Sequence, residues 1–520
     1  MRKIYQFLML VASMTMFSCG SSNSNDEPEP TPSVNIILRS QSINEGAEVD
    51  AASTTVLTLD YNTTVRVTGS GITLNGTAVT AKSNAKTAMS VDIPLDLKEA
   101  KSYTLKVEKG AIVSTTDANS SAPEFTLNFT TKEGAKPLDN DAVVLAKLLG
   151  WGWNLGNHFD TSSGKDGEPN QWGYWDNATP TAALYTNLKA AGVRTVRIPV
   201  TWGNYQNPND PNWTIDAAFM AEVKQNVEWA EAAGLNVILN IHHDEYWTDI
   251  KTAAINATKN DEIKDRIEKT WKQIAEAFKD KGDFLFFESF NELQDGKWGW
   301  GDNKTDGGKQ YNTLNEWNQL VVNTIRATGS KNAKRWIGVP AYASNPIFAL
   351  ENSFKLPTEA ANRIMVSVHF YDPSSFTLTP VKDNISDWGH TGKNNITGSN
   401  EEHIVEIFQK LQEKFIAKNI PVYIGEYGCV IHTTDRANLF RNYYLEYVCR
   451  AAHTYNLPVV LWDNWDAKTK GGGDEHHYYF NHNDGTYYSG AESIVKTMIK
   501  AATSNDANYT LKSIYNNAPK

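Results

Sequence analysis

Compact apolar runs alternate with amphipathic segments over most of this chain, and the sharpest run is FLFFESFNE, Phe284 to Glu292. It is too short for an independent helix and stops abruptly at an amide and a carboxylate. A strand buried on both faces has this pattern, with its C-terminal end opening on a cleft. PVYIGEYG, Pro421 to Gly428, delivers Glu426 in the same way. From Asp141 onward the runs are LGWGWNL, VRTVRIPV, LNVILNIHH, FLFFESFNE, RWIGVPAY, IMVSVHFY, PVYIGEYG and PVVLWDN. Helical segments lie between them, among them TAALYTNLKAAG and AAFMAEVKQNVEWAEAAG, closed by Gly192 and Gly234. Eight strands alternating with helices over residues 141–502 predict an α/β fold, the (β/α)8 barrel. A doubly wound open sheet would need a glycine-rich phosphate turn or a switch point, and neither is evident.

Ahead of the barrel the period changes. Residues 33–133 carry short alternating or β-branched runs (VNIIL, TVLTLDY, TVRVTG, MSVDIPL, SYTLKVEKG, FTLNFTT), with an Asn75-Gly76 turn between two of them. They predict a small immunoglobulin-like β-sandwich, a spacer or accessory module with no cluster of Asp, Glu, His or Cys. GAKPLDN, residues 134–140, is the expected hinge. GSSNSNDEPEPTP, residues 20–32, has no apolar anchor and reads as a flexible tether. Residues 1–19 read as an export segment: Arg2 and Lys3, a short apolar core, then Ser18 and Cys19. The segment resembles a bacterial lipoprotein signal, which implies a lipidated Cys19 and an anchor in the outer membrane, on its periplasmic or its outer side. Met16, Phe17 and Ser18 lack the usual leucine three residues before the cysteine, so ordinary cleavage and secretion is the alternative.

Composition narrows the partner. The chain has 520 residues, enough for more than one domain, and a formal charge of −11, which argues against nucleic acid. Its 16 Trp and 22 Tyr would suit stacking against sugar rings, although large cores also use such residues. Cys429 and Cys449 lie in apolar surroundings, and two buried thiols are expected there, with a disulfide between them, which export would permit, as the alternative.

Barrel chemistry sits at the C-terminal ends of the strands, so the polar residue closing each run is a candidate rim group. Strand one offers Asn154 and Asn157, strand two Arg197, strand three His242 and His243, and strand four Asn291 and Glu292. Tyr342 follows strand five, His369 and Tyr371 close strand six, Glu426 closes strand seven, and Trp462, Asp463 and Asn464 close strand eight. Arg197 interrupts an apolar run and needs a buried anion. The HH pair looks like two metal ligands, but HHDEYW lacks the helical HExxH arrangement, and no metal or other cofactor is expected. Two rim carboxylates can protonate a leaving group and attack the carbon it leaves.

In this order GWNLGN, VRIPV, NIHH, FNE, VHFY, IGEYG and LWDN resemble glycoside hydrolase family 5, most closely its subfamily 4 of endoglucanases and xyloglucanases. The resemblance implies a retaining endo-β-1,4-glucanase acting as a monomer on a β-linked polysaccharide, with Glu292 as acid/base and Glu426 as nucleophile. It also implies that Asn291 bonds the sugar 2-hydroxyl and that Arg197 holds Glu426. His242 and His369 would line the cleavage subsite, Tyr371 would flank the nucleophile, and Trp462 would be a sugar platform. Asn154, His243 and Tyr342 are added as substrate contacts from their places at the rim. Trp172, Trp175, Trp202, Tyr246, Trp247, Trp298 and Trp300 are candidates for an open groove. His158, Phe159 and WGYWDNATP depart from the usual motifs, which bears on the substrate and not on the reaction. A xylanase or mannanase on the same barrel, and a non-catalytic polysaccharide-binding protein, are the alternatives.

Overall fold

The computed structural model describes residues 34–520 apart from 52–53, 85–87, 99, 133–137, 164–166, 169–177, 245–248, 380–386, 394–398 and 465–475. The export segment with Cys19, the tether, Trp172, Trp175, Tyr246 and Trp247 lie outside the described residues. Two compact units result, with the main division between Thr131 and Lys132.

The first unit is built of sheets. One has four strands in the order Leu38–Gln41, Val56–Tyr61, Ser90–Pro94, Lys82–Ser83. Another has five, in the order Glu48–Val49, Phe125–Thr131, Ser102–Val107, Ile72–Leu74, Thr77–Ala78, and a two-stranded pair joins Ile112–Ser114 to Val65–Val67. Strict alternation explains the burial: Tyr103, Leu105 and Val107 face inward on one strand and Leu127, Phe129 and Thr131 on its antiparallel partner. Asn75 and Gly76 both have positive φ, 48° and 79°, as the two-residue hairpin loop between Ile72–Leu74 and Thr77–Ala78 requires.

The second unit contains a closed barrel of eight parallel strands in sequential order: Trp151–Asn154, Thr195–Ile198, Asn236–Asn240, Leu285–Glu288, Ile337–Pro340, Ile364–Phe370, Val422–Tyr427 and Val459–Leu461. Every run predicted from the sequence contributes one of them. Helices cover the outside and continue past residue 502, through Leu511–Asn516, which packs on the helix Asp435–Thr454.

Period two divides the barrel interior into layers. The lower layer is apolar: Ile238, Phe286, Met365 and Tyr423 cluster with Leu145 and Leu149 of the helix Asp141–Leu149. Two residues further along the same strands stand Asn240, Glu288, Ser367 and Gly425, and at that level Asn154 and Arg197 join them. The interior therefore changes from hydrocarbon to a hydrogen-bonded polar layer just below the rim.

Strand seven breaks the period at one point. Val368 pairs with Ile424 and His369 with Glu426, which leaves Gly425 as an extra residue. The pairing with strand eight shifts at the same place. This bulge reverses the phase of the residues after it. Tyr427 turns outward, its hydroxyl accepting from Trp151 Nε1 and meeting Cys449 and Met498, while Glu426 turns toward Arg197. Cys429 and Cys449 are both buried free thiols.

Candidate active site

Arg197 is the centre of the polar layer and is fully buried. Its Nη1 donates to Glu426 Oε1 at 2.8 Å and to Asn154 Oδ1 at 3.0 Å. Nη2 donates to Asn291 Oδ1 at 2.7 Å and lies 2.7 Å from Glu288 Oε2, to which Nε also donates at 2.8 Å. Burial alone would lower the guanidinium pKa, but the Glu288 and Glu426 charges outweigh it and hold the group above its ordinary range.

Each partner is fixed from elsewhere. Glu288 accepts from Tyr423 at 2.7 Å, from Asn240 Nδ2 at 2.9 Å and from Ser367 at 2.5 Å. Asn240 in turn takes the Val200 N–H on its Oδ1, so its amide orientation is set. Its Nδ2 then faces both Glu288 and, at 3.2 Å, His242 Nδ1. An NH2 group opposite Nδ1 assigns the proton of a neutral His242 to Nε2, the ring edge that faces away from Asn240. Burial holds His242 well below the ordinary imidazole range. Asn291 is oriented by the same logic: Arg197 occupies its Oδ1, which leaves Nδ2 for a ligand.

Glu292 and Glu426 meet across His369. Its Nδ1 is 2.7 Å from Glu292 Oε1 and 3.6 Å from Glu426 Oε2, and an oxygen of each carboxylate lies within 4.8 Å of the other. Burial pushes Glu292 up to about 7, with the Glu288 charge adding to the effect and Arg197 opposing it. Burial also raises Glu426, against the attraction of His369 and Arg197. The two environments still differ, because only Glu426 is ion-paired to the guanidinium and accepts a hydrogen bond from Tyr371, at 3.1 Å. Burial lowers His369 to about 4, so at neutral pH it separates the acids without adding charge.

Trp462 is half-buried and its indole is parallel to the His242 ring, 4° apart with centroids separated by 6.0 Å. The exposed His243 sits edge-on to His242. Asp160, His242 and His243 could bring three donor atoms within 4.8 Å, as could Glu292, His369 and Glu426. In the first group both Asp160 oxygens already accept backbone N–H groups, from Asn157 and His158.

Three rim assignments need correction. Tyr342 is fully buried with its hydroxyl on Gln310 at 2.6 Å, so it offers no surface to a sugar. Asn154 is also fully buried, with Nδ2 shared among the carbonyls of Gly425, Val460 and Leu461 and Oδ1 taken by Arg197. It braces the site from below. Trp202 is a core residue donating to the Asn240 carbonyl, whereas Trp298 and Trp300 are exposed at 55% and 64%. Glu288, Asn240, Ser367 and Tyr423 escape the rim rule, which takes only the residues closing each run. A carboxylate inside FLFFESF is the same signal that marked Arg197.

A rim of paired carboxylates on a sequential (β/α)8 barrel defines a glycoside hydrolase arrangement. The family model for cellulase (glycosyl hydrolase family 5) matches residues 156–468, and the chain belongs to that family. Endoglucanase A of Paenibacillus barcinonensis is 33% identical over 339 residues, covering 62% of this chain and 82% of the relative. A GH5-4 broad-specificity endoglucanase from Bacteroides salanitronis is 43% identical with a TM-score of 0.65, covering 72% of this chain and 99% of that one. The Bacteroides ovatus GH5 xyloglucanase in complex with a XXXG heptasaccharide is 25% identical with a TM-score of 0.61, covering 89% of this chain and 100% of that one.

Proposed function

We propose that this enzyme is a retaining endo-β-1,4-glucanase that cleaves internal bonds of β-glucan and of xyloglucan. The observation that carries the reading is the approach of Glu292 and Glu426 oxygens to within 4.8 Å across His369. Retaining enzymes place their carboxyl groups about 5–5.5 Å apart, whereas inverting enzymes need about 6.5–9.5 Å to admit a water.

Glu426, ion-paired to Arg197, attacks the anomeric carbon as the carboxylate. Glu292, protonated, gives its proton to the departing oxygen as the glycosidic C–O bond breaks. The product is a glycosyl ester on Glu426. Glu292, now ionised, takes a proton from water, which attacks the same carbon and returns the electron pair to the Glu426 carboxylate. Asn291 Nδ2 is left as a donor for a sugar hydroxyl, while the Nε2 edge of the buried His242 faces the Asp160 carboxylate, 4.0 Å away. Trp462 presents a ring face to a pyranose, and His369 and Tyr371 set the two acids.

The relatives named for endoglucanase and xyloglucanase activity support the substrate class. The mostly small, polar residues of TSSGKDGEPN, 161–170, part of which lies outside the described residues, suit a groove open to branches. The N-terminal sheets are read as an immunoglobulin-like sandwich serving as a spacer or accessory module, and the enzyme as a monomer. Cys19, outside the described residues, is read as the lipidated N-terminus of an exported protein held at the bacterial outer membrane. Cys19→Ser releases such a protein from membranes with its activity intact; a variant that stays bound refutes the anchor.

The deciding experiment compares initial rates on carboxymethylcellulose, mixed-linkage glucan, xyloglucan, xylan and glucomannan, with product sizes followed over time. Glucan and xyloglucan are expected to lead, with long products first. A tenfold preference for xylan or pure mannan, about 1.4 kcal/mol, overturns the substrate. Early release of only mono- or disaccharides overturns the open groove.

A further inference from the structure

We infer that Glu288 is a positioning residue of the reaction: it is the second carboxylate on Arg197, and it keeps that buried cation compensated while Glu426 is esterified. The inference rests on the retaining mechanism proposed above.

The geometry is specific. Arg197 has no solvent exposure, and the acidic side chains bonded to it are Glu288, at 2.7 and 2.8 Å, and Glu426, at 2.8 Å. In the resting enzyme one positive charge therefore faces two negative ones. When Glu426 attacks, its oxygen forms a bond to the anomeric carbon, the leaving oxygen departs with the Glu292 proton, and the charge on Glu426 is lost. With Glu426 as its only anion, Arg197 would become an uncompensated buried cation, which costs several kcal/mol in a protein interior. Glu288 prevents this because it cannot itself react. It is fully buried, one layer below the rim, with its oxygens held by Tyr423, Ser367 and Asn240. The ionisable groups coupled to it include Arg197, Tyr423, His369 and Glu292.

Glu288 also limits the grip of Arg197 on Glu426. A guanidinium shared between two carboxylates holds each less firmly than it would hold one. The nucleophile stays basic enough to attack and is released from its ion pair at smaller cost. Because Glu288 raises Glu292 through its charge, both ends of the pH profile depend on it.

The test uses the full chain and 2-deoxy-2-fluoro-β-cellobiosyl fluoride, which traps the glycosyl ester. Peptide mapping of the labelled wild type is expected to find the label on Glu426. A label elsewhere refutes the mechanism itself and with it this inference. In Glu288→Gln, which keeps the shape and removes the charge, labelling is expected to slow by at least about tenfold, the change that one unit of pKa represents. Both limbs of the kcat/KM profile are expected to move to lower pH. Tyr423→Phe keeps the charge but removes one of its donors, so Glu288 binds Arg197 more strongly and the acid limb moves to higher pH. A purely structural role would lower the rates in both variants without moving the acid limb down in Glu288→Gln and up in Tyr423→Phe. Labelling of folded Glu288→Gln at the wild-type rate with both limbs in place overturns the inference, and if that variant does not fold, an unmoved acid limb in Tyr423→Phe overturns it.

Discussion

His369 reaches Glu292 with its Nδ1 atom at 2.7 Å, and the same nitrogen is 3.6 Å from Glu426. One buried imidazole thus touches both acids, and the cation needed to distinguish them comes from Arg197, on the Glu426 side alone. The proton of the pair belongs on Glu292.

That placement sets the pH dependence. Glu292 is competent as a general acid below its pKa of about 7 and loses competence above it. On an aryl cellobioside with a poor leaving group, kcat/KM is therefore expected to fall on the alkaline side near pH 7, and on the acid side as Glu426 takes up a proton. With a dinitrophenolate leaving group, which needs no proton, the alkaline limb of the first step should vanish. An alkaline limb identical for both leaving groups would remove Glu292 from the acid role.

The same shift bears on stability. Between the ordinary carboxylate value of 4.5 and about 7 the folded state binds a proton that the unfolded chain has released, so stability falls as pH rises through that window. Glu292→Gln has no charge to bury. It should melt higher than the wild type at pH 8, and the difference should disappear below about pH 4.5. About 3 kcal/mol is an upper figure, reduced because 18% of the Glu292 side chain is exposed. Thermal denaturation of both proteins at pH 4 and 8 checks the sign; an equal gain at both values would point to packing instead.

Much of this was legible in the sequence because strands buried on both faces read as unbroken apolar runs, and a polar residue closing such a run has few places to go except the rim. All eight strands followed from that rule, and the sites of Glu292, Glu426, His369 and Trp462 with them. The rule failed where a residue stood beyond the rim or inside the barrel. Tyr342 comes two residues after its strand, but the chain turns it into the core against Tyr311 and Phe348. Asn154 ends a strand with its side chain directed inward. The bulge at Gly425 was not legible, since an extra residue in a strand changes no hydrophobic pattern and is defined only by its partners.

Gly425 itself is the next test. A Cβ built there would meet His369 Nε2 at 3.2 Å, Ser367 Oγ at 3.3 Å and Glu288 Oε1 at 3.4 Å. All three belong to the supports of the two acids, and none is the free end of a long flexible chain. Gly425→Ala is expected to cost about 1–3 kcal/mol of stability by overpacking. It should also lower kcat more than it raises KM, because it displaces Glu426 from Arg197 without touching the outer groove. Steady-state kinetics with a melting curve check this; a raised KM at unchanged kcat would mean that the bulge does not position the nucleophile.

Trp462 separates binding from discrimination. The residue is held at its backbone and its ring edge: the main-chain N–H of Trp462 donates to the Tyr427 carbonyl at 2.8 Å, and the indole edge crosses Gly156, where an added Cβ would lie 3.0 Å from it. With His242 parallel beside it, the exposed part of the indole is a fixed platform. A platform recognises the face of a pyranose through its C–H groups, and that face is the same in a plain glucan and in one substituted at C6. Trp462→Ala should therefore lower kcat/KM on carboxymethylcellulose and on xyloglucan alike, by about tenfold if the lost contact is worth about 1.4 kcal/mol. The ratio between the two substrates should stay within about threefold, since about 0.6 kcal/mol is the most that a non-selective contact should add to discrimination. Parallel measurement of both rates decides it: a selective loss on xyloglucan would show that Trp462 reads the branch, and substrate choice would then lie at the cleavage subsite and not in the loops around the groove.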